Sequence, residues 1–278
     1  MKHREAVGII ETRFIKINVT LNRLIANFAT EDIHQFRIEV KKLRAFLRSI
    51  KTELKLPKRL RKFYDTIGIV RNLQLQQQRI AKVVTETGDS LPSKYLSTIN
   101  VEAITNIKKA KKIIKKRKTF KKEEKSIINI FTKKIERPTI KKFFNSEADL
   151  LNKQLLLNQP GDETLHSIRK ILKDILYTQP YISKKTRTTL LPWLSGQPNV
   201  KLITELLGGF QDARTSLNYL RPHYTNEIPE CELLLLKSIE KKWQREKENI
   251  KQQVYRQLNK NSLAPQQLKQ HNRKRIYN

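Results

Sequence analysis

Acidic residues are scarce in this chain: 26 Asp and Glu stand against 58 Lys and Arg in 278 residues, giving a formal charge of +32 and an isoelectric point near 10.3. Self-repulsion on that scale opposes compactness unless anions offset it, so the expected partner is a polyanion: nucleic acid, an anionic membrane or a phosphate polymer. Cysteine occurs once, as Cys231, which excludes an intramolecular disulfide and fits a reducing compartment; a small, half-buried side chain is expected there. No run approaches the ~18 apolar residues of a membrane span, and the N-terminal MKHREAVGIIETRF lacks the apolar core of a secretory signal. A soluble, cytoplasmic protein is the expectation. Glycines number only seven, and there is no G-x-x-x-x-G-K loop, no H-E-x-x-H and no Cys/His metal spacing. Phosphoryl transfer therefore lacks its usual parts, and no catalytic residue, metal or cofactor is assigned.

What the chain does have is helical periodicity. Prolines punctuate segments rich in Leu, Ile, Lys, Arg, Glu and Gln, and alternating strand patterns are rare. The spacing predicts an all-α protein with helices over 3–28, 31–54, 58–85, 92–118, 138–158, 163–178, 199–220 and 230–258. Residues 119–137 either extend the fourth helix or add a short one, and 181–191 form a further turn. Two four-helix halves, 1–137 and 138–264, precede a basic polar tail at 265–278.

The halves carry matching markers in the same order. Thr30 and Asp162 read as N-caps, each followed by acids suited to a helix start and each four residues before a histidine, His34 or His166. The next helix of each half then carries a second marker, IGIVRN from Ile67 to Asn72 and LGGFQD from Leu207 to Asp212. This recurrence implies an internal duplication. Gly68 and Gly208 lie inside helical patterns, where glycine costs about 1 kcal/mol relative to alanine, so close approach of another helix is the expected compensation.

On a wheel of about 100° per residue, Arg37, Lys41, Arg44 and Arg48 fall in one stripe beside His34, with Lys42 on the flank. Phe36, Val40, Leu43, Leu47 and Ile50 take the opposite face. In the second half His166, Arg169, Lys173 and Tyr177 share a face, Lys170 flanks it, and Ile168, Leu172 and Ile175 form the apolar side. Like charges at i,i+3 and i,i+4 repel, and no acid interrupts the first stripe, since Glu39 points elsewhere. Such a stripe is either a solvated face or a site for an external anion, and its duplication behind a histidine favours the site. Arginine forks grip phosphate oxygens, lysine adds point charge, and histidine donates or titrates.

These residues resemble the CHAD domains, α-helical domains named for conserved histidines. The resemblance rests on H34-x-x-R37-x-x-x-K41-K42-x-R44 with Arg48 following, on H166-x-x-R169-x-x-x-K173-x-x-x-Y177, and on the paired glycine elements, and it spans roughly 1–258. It implies two pseudo-symmetric four-helix bundles around a basic central channel, a stand-alone module, and binding of inorganic polyphosphate without catalysis, in the cytoplasm or at polyphosphate granules. The implied binding positions are His34, Arg37, Lys41, Lys42, Arg44, Arg48, His166, Arg169, Lys173 and Tyr177. Departures from the family pattern fall at Asn72, usually Asp, and at Asp174 and Leu176, usually basic; the last two weaken the second stripe. Arg71 and Asp212 either orient the basic side chains, contact the anion from behind, or form structural salt bridges.

The run KKAKKIIKKRKTFKKEEK, from Lys108 to Lys125, holds eleven cations and two acids. It is a solvated helix or an extension of the polyanion track, with Lys108, Lys111, Lys112 and Lys115 on one side. Nucleic-acid binding is the alternative function, although Phe36, Phe46 and Phe63 sit on core or flank positions instead of forming a stacking groove. Polyphosphate processing by an enzyme ranks below it. A membrane-surface role ranks low too, since no wide exposed apolar face accompanies the lysines. Oligomeric state is left open.

Overall fold

The computed structural model describes residues 3–50, 54–134, 140–157, 159–183 and 199–261. Every regular element among them is helical. The order is α1 (His3–Asn27), α2 (Thr30–Ile50), α3 (Lys58–Thr87), α4 (Ser93–Ile114), α5 (Lys121–Lys134), α6 (Ile140–Leu155), α7 (Asp162–Thr178), a 3-10 turn (Gln179–Tyr181), α8 (Asn199–Asn218), a single turn α9 (Pro222–Thr225), and α10 (Glu230–Asn261). The eight expected helices are all present. Residues 121–134 form a helix of their own, and 222–225 add a turn that periodicity does not signal. Residues 51–53 at the expected end of the second helix, the segment around residue 137, most of 181–191 and the tail at 265–278 lie outside the described residues.

Helix ends follow local chemistry. Phe28 adopts a left-handed φ of 55°, its N–H donates to Leu24 O at 2.8 Å, and Asn27 Oδ1 accepts from Ala29 N at 2.9 Å. The chain thus turns between α1 and α2 within two residues. Thr30 does not cap α2 as expected; its hydroxyl lies 3.0 Å from Gln74 Oε1 on α3, tying the start of α2 to its neighbour. Asp162 is likewise inside α7, and its carboxylate accepts from Lys247 and Lys251 of α10 at 3.1 and 2.8 Å. Gly88 closes α3 at φ 73°, a left-handed C-cap that glycine adopts without steric cost.

Buried apolar side chains form three clusters. The first joins α1, α2, the first half of α3, the end of α4 and α5, around Phe14, Phe36, Phe63 and Phe120. The second joins α6, α7, α8 and the end of α10, around Phe144, Ile168 and Phe210. The third joins the second half of α3, the first half of α4 and the first half of α10, around Tyr95 and Trp243, so its residues come from both sides of residue 137. The long α10, about 48 Å at 1.5 Å per residue, thereby touches both the second and third clusters. Its Glu232 accepts from the N–H groups of Lys94 and Tyr95 at 3.0 and 3.1 Å, capping α4 from outside.

The apolar faces read from the wheel are the buried ones: Phe36, Val40, Leu43, Leu47 and Ile50 on α2, and Ile168, Leu172 and Ile175 on α7. With those faces seated in separate cores, α2 and α7 also pack against each other. Cys231 is exposed, not half-buried. No described helix is long and apolar enough to cross a membrane.

Candidate anion site between the histidine helices

Cations from three helices converge where α2, α3 and α7 meet. At the centre is Lys41, its ammonium pushed down to about 7 by burial and then by the neighbouring charges of Arg37, Arg169, Arg44 and Arg71. Those neighbours come from α2, α7 and α3, so the two stripes face one another and α3 adds a third wall. Arg37, Lys41, Arg44, Arg71, Arg169 and Lys173 form no ion pair among the described residues. Nε of both Arg71 and Arg169 is buried without a hydrogen-bond partner. Buried guanidinium nitrogens left bare are costly, by about 1–3 kcal/mol each, and an anion would relieve them.

Arg37 is the most firmly held of the group. Its Nη1 donates to the Tyr64 carbonyl at 2.8 Å, and its guanidinium stacks 4.3 Å from the Tyr64 ring centroid. Gly68, one turn further along α3, makes that placement possible: a Cβ there would overlap Arg37 Nη1 and lie 2.8 Å from Cζ. The glycine expected to admit a helix therefore admits a side chain. Its counterpart Gly208 has nothing within 4 Å of a Cβ, so the packing expectation fails there as well. Burial and Arg71 lower the Arg37 guanidinium, which Tyr64 and Asp65 partly offset.

The two histidines have different settings. His34 is lowered by burial and by Arg71 and Lys41, against the opposing pull of Glu31 and Asp212, which puts it at the edge of the cation cluster. His166 Nδ1 lies 2.8 Å from Gln211 Oε1; with the amide so oriented, Nδ1 carries the proton. In the paired glycine elements Gln211 holds the position of Arg71, so each histidine is met by the same position of the following marker. Tyr177 is raised by burial and lies near Arg169, Tyr64 and Arg44. Burial and Arg169 lower the Lys173 ammonium.

Two expected ligands are engaged elsewhere. Arg48 pairs with the buried Asp174 of α7 through Nη1, and with Glu147 of α6 at 3.2 Å through Nη2, so its charge is offset within the protein. Burial raises both carboxyls, and Arg48 opposes the shift. Lys42 bonds Glu39 at 2.7 Å, and Glu39 also accepts from Arg13 of α1 at 2.9 Å. Arg13 in turn donates to the hydroxyl of Tyr181 just after α7. Lys170 is exposed on the flank of α7, and Asp212 is exposed on α8. Lys108 and Lys112 on α4 and Lys115 just past its end are exposed, outside the cluster, and Lys111 sits over the Phe28 ring at 5.7 Å.

Sequence reasoning missed Tyr64, Gln211, Glu147 and Arg13. Tyr64 carries a weak signal, lying one turn before Gly68 on the same face of α3, and Gln211 could have been found from its match to Arg71. Glu147 and Arg13 carry none.

The family model of the CHAD domain matches residues 8–221, and the chain belongs to that family. Two solved structures share its fold. PptA from Streptomyces chartreusis superposes with a TM-score of 0.66 at 11% identity, covering 92% of this chain and 98% of the other. The CHAD domain from the plant Ricinus communis gives 0.65 at 14% identity, covering 92% and 91%. No curated protein matches the sequence.

Proposed function

We propose that the chain binds inorganic polyphosphate, without catalysing its turnover, through the cations gathered between α2, α3 and α7. The observation that carries this reading is the set of Arg37, Lys41, Arg44, Arg71 and Arg169 around one half-buried ammonium, with two bare guanidinium nitrogens and no ion pair to any of the five among the described residues. A linear anion with about one charge per phosphate relieves repulsion that the fold leaves uncompensated, and arginine forks match phosphate oxygens. Family membership supports the same ligand class. Pseudo-symmetry of the two halves around a basic channel, and residence in the cytoplasm or at polyphosphate granules, belong to the same proposal.

Calorimetric titration with long-chain polyphosphate and with single-stranded RNA of matched charge, at moderate salt, tests it. Polyphosphate is expected to bind more tightly, with affinity falling as salt rises through counterion release. Equal binding of the two polymers would replace this reading with general polyanion or nucleic-acid binding. Phosphate release that disappears in His34→Ala would show an enzyme instead.

A further inference from the structure

The lysine row on α4 has a different chemistry from the central cluster. Lys108, Lys111, Lys112 and Lys115 recur at i, i+3, i+4 and i+7, lining about 10 Å of one helix side. All four are exposed, and none is in an ion pair among the described residues. The connection that follows is braced: Arg59 donates to the carbonyls of Ile113 at 3.2 Å, Thr119 at 2.9 Å and Arg117, and pairs with Glu123 at 3.1 Å. That brace neutralises Glu123, one of only two acids in the run, and holds Lys116 and Arg117 outward.

The aromatic residues nearest in sequence to the row, Tyr95, Phe120 and Phe131, are completely buried. Phe28, the ring beneath Lys111, is buried too, so none of these four rings offers an open face for stacking bases, which single-strand readers ordinarily use. It also lacks the arginine forks that dominate the centre. Mobile lysine ammoniums on an exposed face suit a flexible polymer whose every unit is an unadorned charge.

Contacts through Phe28 link the inner part of the row to α3, the helix that carries Arg71. Lys111 lies over Phe28, the Phe28 carbonyl accepts from Gln74 Nε2 at 2.9 Å, and Gln74 is one turn beyond Arg71 on α3.

We propose that this row is an outer contact for the distal part of a polyphosphate chain whose other part occupies the central cluster, so that length beyond what the cluster holds is converted into affinity. The proposal rests on the polyphosphate reading above. Its physical basis is effective concentration: once the cluster holds one segment, the rest of the chain is presented to the row as a local, nearly intramolecular ligand.

The test compares tripolyphosphate with long-chain polyphosphate, by calorimetry, on the full chain and on a variant with Lys108→Gln, Lys111→Gln, Lys112→Gln and Lys115→Gln. The variant is expected to keep tripolyphosphate affinity within about twofold and to lose about tenfold or more for the long chain. Its log–log salt slope for the long chain should become shallower by about three, from four phosphate contacts at roughly 0.7 each. Four Lys→Arg substitutions at the same positions should restore long-chain affinity, which excludes misfolding as the cause. Equal loss for both lengths, no loss for either, or loss for RNA alone would each overturn the proposal. Failure of the unaltered protein to bind either polyphosphate would overturn the central reading itself, and is seen before any variant is made.

Discussion

The helices α2 and α7 begin alike and diverge after three turns. Each starts with two acids, buries an apolar face in its own core, and sends an arginine one turn after its histidine toward the other helix. On α2 the stripe continues as Lys41 and Arg44, both without an ion pair. On α7 it continues as Lys173 and Tyr177, while Asp174, at the position of the flanking Lys42, takes Arg48 out of circulation. The second helix thus adds cations to the cluster and also removes one. The charge that a wheel assigns to a face is an upper limit on the charge available to a ligand, because carboxylates from other helices can claim part of it.

The largest expected effect comes from breaking the two walls separately. Arg37→Ala with Lys41→Ala should weaken long-chain polyphosphate binding on the order of a hundredfold, since charged hydrogen bonds are worth about 1.5–3 kcal/mol each. Arg169→Ala with Lys173→Ala should cost about tenfold. Equal losses in calorimetry would make the walls equivalent.

Next comes the contrast between a bridged and a bare arginine on α2. Arg48→Ala strands Asp174 and Glu147 in a buried setting, and removing one partner of a buried pair costs about 3–5 kcal/mol. Because the Arg48 side chain is one-third exposed, about 2 kcal/mol in urea denaturation is the expectation, with affinity changed less than threefold. Arg44→Ala should do the reverse, lowering affinity and sparing stability. Stability unchanged by Arg48→Ala would show that the bridge is not structural.

The paired glycines separate more finely. Gly68→Ala evicts the Arg37 guanidinium and should destabilise by about 1–2 kcal/mol, overpacking outweighing better helix propensity. Gly208→Ala meets open space and should stabilise by about 0.5–1 kcal/mol. Thermal denaturation of the two variants reads both signs.

The smallest effect is the pH dependence. Lys41 is held at about 7 against an ordinary 10.5. Its charged form is penalised in the folded protein, fully so below about 7, and the penalty fades as pH rises toward 10.5. Without anion, this group alone makes stability rise across that window. A bound polyanion favours the charged form, so affinity should fall several-fold between about pH 6 and 9, with proton uptake visible as a buffer-dependent binding enthalpy. Lys41→Arg should flatten this dependence.

Helix positions and buried faces were legible because the 3.6-residue period is local; Leu43 and Ile168 are buried for the reason the wheel gives. Convergence of Arg37, Lys41, Arg44 and Arg169 followed from the repeated stripe behind each histidine. What eluded the sequence depends on partners remote along the chain. Nothing near Arg48 announces Glu147, 99 residues away, or shows that Arg71, read as secondary, stands among the central charges. The expectation that Thr30 and Asp162 cap their helices failed because each side chain found a tertiary partner, Gln74 or the lysines of α10.

Gly68 and Arg37 are one feature divided between two helices: a missing carbon on α3 and a planar cation on α2 share the same space. Their substitutions will therefore not add. Once Arg37 has been cut to alanine, the space at 68 is empty, and Gly68→Ala should turn from harmful to helpful. The sign of a mutation on one helix is thus set by the residue present on the other.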